Sequence, residues 1–298
     1  AMNAGMDLFM VSTAWREWIS HLTRHVESGR VSMTRLDDAV RRVLTLKKRY
    51  GLFTKPRPRD RKWSGHASFG SPAHRDVARE AVRKSMVLLQ DRSALLPLAE
   101  DVRVFVPGRL ADDAGAQCGG FTLAWQGQKG PIPGATSIWE GIRAIAPGAE
   151  LGEQGVAADP TRHDVAVVVI GEDPYAEGLG DIRENDQVVV ETGSMIRGTI
   201  KTMAPYGRSL ELSQLHPEDI LAIRVAGSAG VPVVAVLLSG RPLIIDDELE
   251  LAAAFVAAWL PGSEGLGVGQ VLFGQAPFAG RLGFDWPGRE GVRFPVGY

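Results

Sequence analysis

An acidic loop in the middle of the chain carries the side chains best suited to chemistry. Apolar residues fill positions 165–170, and the run ends at a glycine. The loop that follows carries carboxylates at Glu172, Glu177 and Asp181, together with Tyr175. The apolar run predicts a buried strand, and open α/β sheets bind their ligands at the loops that follow such strands. A carboxyl group on this loop could therefore transfer a proton to or from a bound molecule.

Other patterns that suggest chemistry are weaker than the acidic loop. His21 and His25 lie four residues apart on a predicted helix, a spacing that can grip a metal ion. No third ligand accompanies them, so we predict a solvated helix face and no metal site. Cys118 is the only cysteine, which excludes an internal disulfide, and a lone cysteine is typically a small buried apolar side chain. The glycine motifs of nucleotide-binding loops and the motifs of serine hydrolases do not occur, which disfavours both.

The composition is that of an ordinary globular protein. The 298 residues are 45% hydrophobic and 23% charged, enough for one large domain or two ordinary ones. A formal net charge of -2 gives no electrostatic reason to expect nucleic acid or a membrane surface as a partner. No apolar run is long enough to span a bilayer. We therefore predict neither a nucleic-acid partner nor a membrane partner.

The first part of the chain has the pattern of two helices followed by a linker. Apolar residues recur at helical spacing over Ser12–Phe53, with a break at Gly29. Ser32 is a suitable N-cap for the second helix, and Gly51 is suited to its end. Residues 54–75 begin with a stretch rich in proline, glycine and charge, which predicts a linker.

The remainder predicts a sheet covered by helices on both faces. A helix is expected from Ser71 and Pro72 towards Met86–Leu89, with proline at its first position. Residues 186–215 are less regular and are interpreted as an insertion, with a hairpin as one reading. Continuous apolar strands that alternate with crossovers indicate an α/β fold with a mainly parallel sheet. The predicted strands are Val102–Val106, Val165–Ile170, Val231–Leu238 and Ala253–Leu260.

Several short motifs follow one another along essentially the whole chain. They are Asn3–Asp7, Ser28–Val31, Arg35–Leu44, Gln117–Gly127, Ser239–Pro242, Ala257–Gly265, Gly280–Leu282 and Phe294–Tyr298. Each motif is weak alone, but the ordered set, together with the acidic loop, resembles the two-domain β-glucosidases and glucan exohydrolases of glycoside hydrolase family 3. In that comparison, the acidic loop resembles the acid/base loop of the family.

The resemblance implies a fold and a division of the chain. In such enzymes a (β/α)8 barrel comes first and carries the aspartate nucleophile and most sugar-binding residues. Residues 1–53 resemble the last strand and helices of that barrel, residues 54–75 a linker, and residues 76–298 a three-layer αβα sandwich with a mainly parallel sheet. No position matches the nucleophile motif, and Asp7, the acid nearest that edge, is not the nucleophile in the family pattern. The missing N-terminal barrel segment is therefore an expected partner.

The resemblance also implies a reaction, the retaining hydrolysis of terminal β-linked glucose in a β-glucoside or oligosaccharide, without a cofactor. Such chemistry needs two carboxyl groups about 5–5.5 Å apart, one attacking the sugar and one protonating the leaving oxygen. The resemblance gives the second role to Glu177, and burial beside apolar groups would raise its pKa for that purpose. The competing interpretation of Glu177 is a solvated loop acid. Glu172 is expected to bond backbone amides at the sheet edge, and Asp181 to order the loop.

Two aromatic residues are candidates for sugar binding. Aromatic faces pack on the apolar C–H faces of pyranose rings, which suits Phe121 and Trp125. The glucan exohydrolase pattern usually has tryptophan where Phe121 stands, so the resemblance implies weaker stacking or an altered leaving-group subsite. For Trp125, a place in the hydrophobic core is an equally open interpretation.

An alternative function stays open beside hydrolysis. The chain could be a non-catalytic carbohydrate-binding or assembly module that acts only when docked to a barrel-bearing partner. The faces around Trp15, Trp18, Leu36 and Val40 resemble helices that pack on a barrel, so we expect an exposed apolar patch and a tendency to form homo-oligomers. The family resemblance alone favours a periplasmic or secreted location.

Overall fold

The computed structural model of the chain describes residues 1–11, 14–183, 189–196, 199–203 and 205–298. Two compact units are present, and the point at which the chain first passes between them, Phe69 to Gly70, falls inside the predicted linker. The assignment of residues 54–75 to a linker and of residues 1–53 to part of a barrel stays a prediction. The units comprise Ala1–Phe69 with Val188–Met203, and Gly70–Gln187 with Ala204–Tyr298.

The first unit contains two helices, α1 (Trp15–Glu27) and α2 (Met33–Arg49), after a short 3-10 turn at Met2–Ala4. The hydroxyl of Ser32 accepts a hydrogen bond from the Arg35 amide at 3.1 Å, so the predicted N-cap is confirmed. Helix α2 ends just before Gly51, whose φ of 67° is left-handed, as the predicted stop requires.

A small core holds the two helices together and leaves part of their apolar surface uncovered. Met2, Val31 and Ala39 are buried, and Leu36 packs against them. Trp18 lies against Phe9, with ring centroids 4.7 Å apart. In contrast, Trp15 and Val40 are 45% and 47% exposed. Two of the four residues expected on an exposed apolar patch are therefore exposed, while Trp18 and Leu36 pack within the unit.

A two-stranded hairpin lies within the segment predicted to be an insertion. Strands β5 (Val189–Ile196) and β6 (Thr199–Met203) pair antiparallel, which confirms the hairpin over those residues. Other parts of that prediction, at residues 186–188, 197–198 and 204, lie outside the described residues, as does the predicted helix start at Ser12.

A six-stranded sheet forms the centre of the second unit, and the same unit contains a small hairpin near the end of the chain. The strands are β1 (Val87–Asp91), β2 (Val104–Val106), β3 (Glu150–Leu151), β4 (Val165–Gly171), β7 (Val233–Leu238), β8 (Ala254–Trp259), and the hairpin pair β9 (Trp286–Gly288) and β10 (Gly291–Phe294). The sheet order is β1-β8-β7-β4-β2-β3. All neighbours run parallel except β1, which pairs antiparallel with β8 at the edge.

Helices cover both faces of this sheet. Alternate residues of β4 point to opposite faces, so Val167 and Val169 join one buried cluster and Val168 and Ile170 join the other. The helices that flank the sheet are α3 (Pro72–Ser85), α4 (Ala114–Cys118), α5 (Ile138–Ile145), α6 (Leu212–Leu215), α7 (Pro217–Ala226), α8 (Asp246–Leu251) and α9 (Gly265–Leu272). The first cluster includes side chains of α3, α5 and α9, and the second includes side chains of α6, α7 and α8. The predicted αβα sandwich with a mainly parallel sheet is therefore confirmed.

The sequence prediction was wrong at one end of α3. Ser71 caps this helix as predicted, and Pro72 is its first residue. The helix ends at Ser85, however, and does not extend into Met86–Leu89. Those residues lead into β1, where Val87 and Leu88 pair with residues of β8. A short apolar run suits a helix or a strand equally well. Here the run forms a strand because it can pair with β8 at the edge of the sheet. Within the described ranges, every helix is too short or too polar to cross a bilayer.

Candidate active site

The acidic loop begins at the carboxyl end of a central strand. Strands β2, β4, β7 and β8 run parallel, so their carboxyl ends lie along one edge of the sheet. Gly171 ends β4 with a φ of 144°, and a Cβ at this position would lie 1.9 Å from the carbonyl oxygen of Leu238. Only glycine permits this close approach of the two strands where the loop begins.

Glu172 is the buried carboxylate of the loop. Its Oε1 accepts hydrogen bonds from Nε and Nη2 of Arg241 at 2.9 and 2.7 Å, and its Oε2 accepts from the Tyr175 hydroxyl at 3.1 Å. The expectation that Glu172 bonds backbone amides is wrong, because a guanidinium and a phenol take its oxygens instead. Burial, and then the negative charge of Glu172, raise the pKa of Tyr175, so the phenol stays a hydrogen-bond donor at neutral pH.

Arg241 fastens the acidic loop at two separated points. Besides Glu172, it donates from Nη1 to the carbonyl oxygen of Gly180 at 2.7 Å. Its guanidinium also lies over the ring of Tyr175, 4.6 Å from the centroid, a favourable arrangement of a cation on an aromatic face. One side chain from the loop after β7 therefore closes residues 172–180 into a defined shape.

A second ion-pair network fixes the base of the loop. Asp219 of α7 is fully buried; it accepts a hydrogen bond from the Gly171 amide at 2.9 Å and pairs with Nε of Arg109 at 3.0 Å. Arg109 also pairs with Asp173 at 2.5 Å, and Lys129 contacts the same carboxylate at 3.2 Å. Charge-assisted bonds of this kind are stronger than neutral ones, so the first residues of the loop are held on both sides.

Glu177, by contrast, is exposed. Its Oε2 accepts a hydrogen bond of 2.7 Å from the indole N–H of Trp125. That hydrogen bond holds the pKa of Glu177 below its ordinary value. In this chain, Glu177 is therefore an ionised carboxylate at neutral pH. The burial expected from the sequence for a proton donor is not supplied by the described residues of this chain.

Trp125 belongs to a second loop that packs against the acidic one. The amide of Ala176 donates to Oε1 of Gln126 at 2.7 Å, and Nε2 of Gln126 donates to the carbonyl oxygen of Glu177 at 3.3 Å. The loops also touch at Gly120, where a Cβ would lie 2.1 Å from the carbonyl oxygen of Tyr175. Gly120 of the Gln117–Gly127 motif is therefore required for the close packing of the two loops.

Phe121 stands on the wall of an open cleft beside these loops. It is 69% exposed and has a left-handed φ of 61°, unusual for a residue with a side chain. The cleft measures about 270 Å³. Its wall includes the first residues of the acidic loop, and it is formed by Ala116, Gly119, Gly120, Phe121, Glu172, Asp173, Pro174, Tyr175, Gly240 and Leu260.

The structure brings only some of the predicted site residues together. Trp125 contacts Glu177, while Phe121 faces the cleft, whose wall, in the described part of the chain, includes neither Trp125 nor Glu177. Neither aromatic is in the core, since Phe121 is exposed and Trp125 is half-buried. Asp181 pairs with Arg183 at 2.8 Å. The catalytic role of Glu177 and the sugar-binding roles of Phe121 and Trp125 stay predictions.

Sequence reasoning missed the residues that hold the loop. Arg109, Gln126 and Asp219 were not predicted to act there, and Arg241 was noted only as part of a motif. The motif positions of Gln126 and Arg241 were the available signal, because a polar side chain in a loop after a strand is well placed to bind its neighbours. In the described residues, no group of three or more His, Cys, Asp or Glu side chains is arranged to hold a metal ion.

Comparison with known proteins decides the family. Residues 86–296 match the family described as glycosyl hydrolase family 3 C-terminal domain. The chain belongs to this family. An exo-1,3/1,4-β-glucanase from a Pseudoalteromonas species has the same fold, with a TM-score of 0.80 and 37% identity over 99% of the chain and 35% of that protein. A β-glucosidase from Listeria innocua, solved in complex with glucose, gives a TM-score of 0.73 and 26% identity over 96% of the chain and 36% of its own.

Curated relatives of this family 3 domain extend the same pattern. A lysosomal β-glucosidase of Dictyostelium discoideum is 31% identical over 98% of the chain and 35% of its own length. A periplasmic β-glucosidase of Salmonella typhimurium is 29% identical over 100% of the chain and 39% of its own length. The chain thus spans between about a third and two fifths of the length of these relatives.

Proposed function

We propose that this family 3 domain supplies the general acid/base of a retaining β-glucosidase or exo-β-glucanase, and that Glu177 is that group. The observation that carries the proposal is the placement of its carboxylate, which is presented on a loop at the carboxyl edge of the sheet and bonded to Trp125 at 2.7 Å. Ligand chemistry in open α/β sheets is concentrated at this edge. The substrate is a β-glucoside or oligosaccharide with a terminal β-linked glucose.

The nucleophile of the proposed reaction comes from outside this chain. A retaining enzyme places the nucleophilic carboxylate about 5–5.5 Å from the acid/base carboxyl, and no residue of this chain matches the family's nucleophile motif. A barrel segment of the kind that the longer relatives have room for would supply it. No cofactor enters this chemistry, because both steps use only carboxyl groups and water.

The two steps make opposite demands on Glu177. In the first step, a protonated Glu177 gives its proton to the leaving oxygen while the nucleophile attacks the anomeric carbon. In the second step, an ionised Glu177 takes a proton from the water that releases the glucose. The hydrogen bond from Trp125 favours the ionised form. In the chain alone, Glu177 therefore has the charge state that the second step requires. The nearby nucleophile and the bound sugar would raise the pKa of Glu177 for the first step.

Removal of the carboxyl group tests this proposal in an active preparation that contains the chain and the nucleophile-bearing segment. We expect Glu177→Gln to lower kcat by about 10²–10⁴-fold on cellobiose, whose leaving oxygen needs a proton. An activated dinitrophenyl β-glucoside should lose far less in its first step, because its leaving group departs unprotonated. With Glu177→Ala, added azide should give β-glucosyl azide. The matched control is Glu153→Gln, at an exposed glutamate of the same unit. Equal losses on both substrates would contradict the role.

The alternative function, a docking module without chemistry, is tested by the same materials. The exposed Trp15 and Val40 of the first unit are the surface observation in its favour. If the chain only assembles with a partner, then Glu177→Gln should leave kcat on cellobiose unchanged. Deletion of the chain should still abolish activity.

A further inference from the structure

Two adjacent residues of one loop hold Glu177 from two sides. Gln126 bonds the backbone on both sides of the Glu177 Cα atom, while Trp125 bonds its carboxylate. The two residues are about 50 positions away in the sequence from their partners, so they tie together loops that leave different strands. The proposed function assigns no task to Gln126, and Trp125 enters it only through the effect of its hydrogen bond on the charge of Glu177.

The amide of Gln126 matches the backbone that it contacts. A glutamine side chain offers one acceptor oxygen and one donor nitrogen. The oxygen accepts from the amide of Ala176 at 2.7 Å, and the nitrogen donates to the carbonyl of Glu177 at 3.3 Å. The two bonds span residues 176 and 177, and they therefore lie on either side of the Cα atom from which the carboxylate projects. The backbone at Glu177 therefore depends on a side chain for its pairing.

The loop that carries Gln126 is itself braced. The amide of Phe121 donates to the carbonyl of Trp125 at 2.9 Å, and the amide of Gly127 donates to the carbonyl of Ala124 at 3.0 Å. A Cβ at Gly127 would lie 2.7 Å from the ring of Pro174 on the acidic loop. These contacts restrict the motion of both loops, so Trp125 and Gln126 bond Glu177 from a rigid loop.

We propose that Gln126 and Trp125 are the positioning residues of Glu177: Gln126 sets the place of its backbone, and Trp125 sets the direction of its carboxylate. This inference rests on the proposed acid/base role of Glu177. The indole bond leaves Oε1 free of Trp125, so Oε1 is the oxygen that exchanges the proton with leaving group or water. The lowered pKa of Glu177 is consistent with this bond, because a donor on the carboxylate favours its ionised form.

The first test uses the 298-residue chain alone and needs no activity. In wild-type protein, hydrogen exchange of the Ala176 amide should be slow, because its proton is bonded to Gln126. We expect Gln126→Ala to speed that exchange by at least tenfold, while Gln126→Glu, which keeps an acceptor oxygen, restores slow exchange. Gln128→Ala, at an exposed glutamine of the same loop, is the control. Unchanged exchange in Gln126→Ala, with the wild-type Tm, would overturn the role of Gln126.

The role of Trp125 is tested on the same chain by carboxyl ¹³C titration of Glu177. Trp125→Phe keeps an aromatic ring but removes the indole donor, so the pKa of Glu177 should rise towards its ordinary value. The indole ¹⁵N–H resonance of Trp125 should move in wild-type protein as Glu177 titrates. If Trp125→Phe leaves the titration of Glu177 where it was, the direction of the carboxylate is set by something else.

A kinetic comparison in an active preparation separates positioning from the acid/base proposal. Trp125→Phe should move the basic limb of the kcat profile on cellobiose to higher pH, since the proton donor then stays protonated longer. Gln126→Ala should lower kcat at least tenfold with little change in KM, and Gln126→Glu should recover part of it. If Glu177→Gln itself is harmless, the acid/base role fails while the exchange and titration results still stand. If Glu177→Gln is damaging but Gln126→Ala is not, only the positioning inference fails.

Discussion

Neutral substitution of Glu248 should remove a penalty that grows with pH. Glu248 lies on α8 and is only 1% exposed, and among the described residues neither of its carboxyl oxygens bonds to another residue. Burial raises the pKa of Glu248 to about 7, and the neighbouring carboxylates of Asp247 and Asp219 act in the same direction, while its own backbone N–H and Arg289 oppose them. In the folded protein, Glu248 therefore stays protonated at pH values well above its ordinary pKa of 4.5.

The sign and size of the effect follow from proton linkage. Between the ordinary value of 4.5 and about 7, the unfolded chain has lost the proton of Glu248 while the folded chain retains it. The stability from this group is therefore present in acid and is lost as pH rises through that window. At roughly 1.4 kcal/mol per pH unit, the loss amounts to about 3 kcal/mol in all. About 2–3 kcal/mol of it falls between pH 5 and pH 8.

Urea unfolding of Glu248→Gln and wild-type protein measures this directly. The glutamine has nearly the same shape and carries no charge, so any constant cost of burying its amide cancels when the two pH values are compared. We expect the free energy of unfolding of Glu248→Gln, relative to wild type, to rise by about 2–3 kcal/mol from pH 5 to pH 8. Glu250→Gln, at an exposed glutamate of the same helix, is the matched control. A pH-independent difference for Glu248→Gln, or an equal rise for Glu250→Gln, would refute the reasoning.

Two further predictions concern the acidic loop. Arg241→Met leaves the buried Glu172 without its partner, so unfolding should cost about 3 kcal/mol less in urea titrations, while Glu172→Gln combined with Arg241→Met should recover most of the loss. If Arg241→Met lowers the free energy of unfolding no more than the same change at an exposed arginine, this reasoning is wrong. Gly171→Ala should destabilise by about 3 kcal/mol or more, because its Cβ would meet the Leu238 carbonyl at 1.9 Å. Gly148→Ala, with open space around it, should change the Tm little, and comparable Tm losses for the two glycines would count against the close approach.

The central strands could be predicted because the sequence carries their burial directly. Strands covered on both faces need apolar residues at every position, and β4 and β7 are fully buried throughout. The cap at Ser71 was equally local, since the signal and the bond lie within three residues. The Met86–Leu89 run was ambiguous because nothing local separates a short helix end from an edge strand. Pairing with β8, more than 160 residues away, resolved it.

The contacts of the site could not be predicted in the same way. Arg241 and Glu172 are 69 positions apart, and Gln126 and Ala176 are 50 apart. No periodicity or local propensity connects such pairs, because their contact depends on the order of strands in the sheet. The motifs pointed to the right loops, but only the fold determines which side chains of those loops meet.

The exposure of Glu177 places a physical requirement on its proposed chemistry. A general acid must hold a proton at working pH, yet the Trp125 hydrogen bond favours the ionised carboxylate, and the described residues add no burial to oppose it. Two changes would raise the pKa of Glu177: removal of water by a covering surface and a second carboxylate about 5–5.5 Å away. Both would come with the nucleophile-bearing segment, because the nucleophile of a retaining enzyme lies at that distance from the acid/base carboxyl. The proton donor would then exist only in the assembled site, whereas the exposed chain carries its conjugate base.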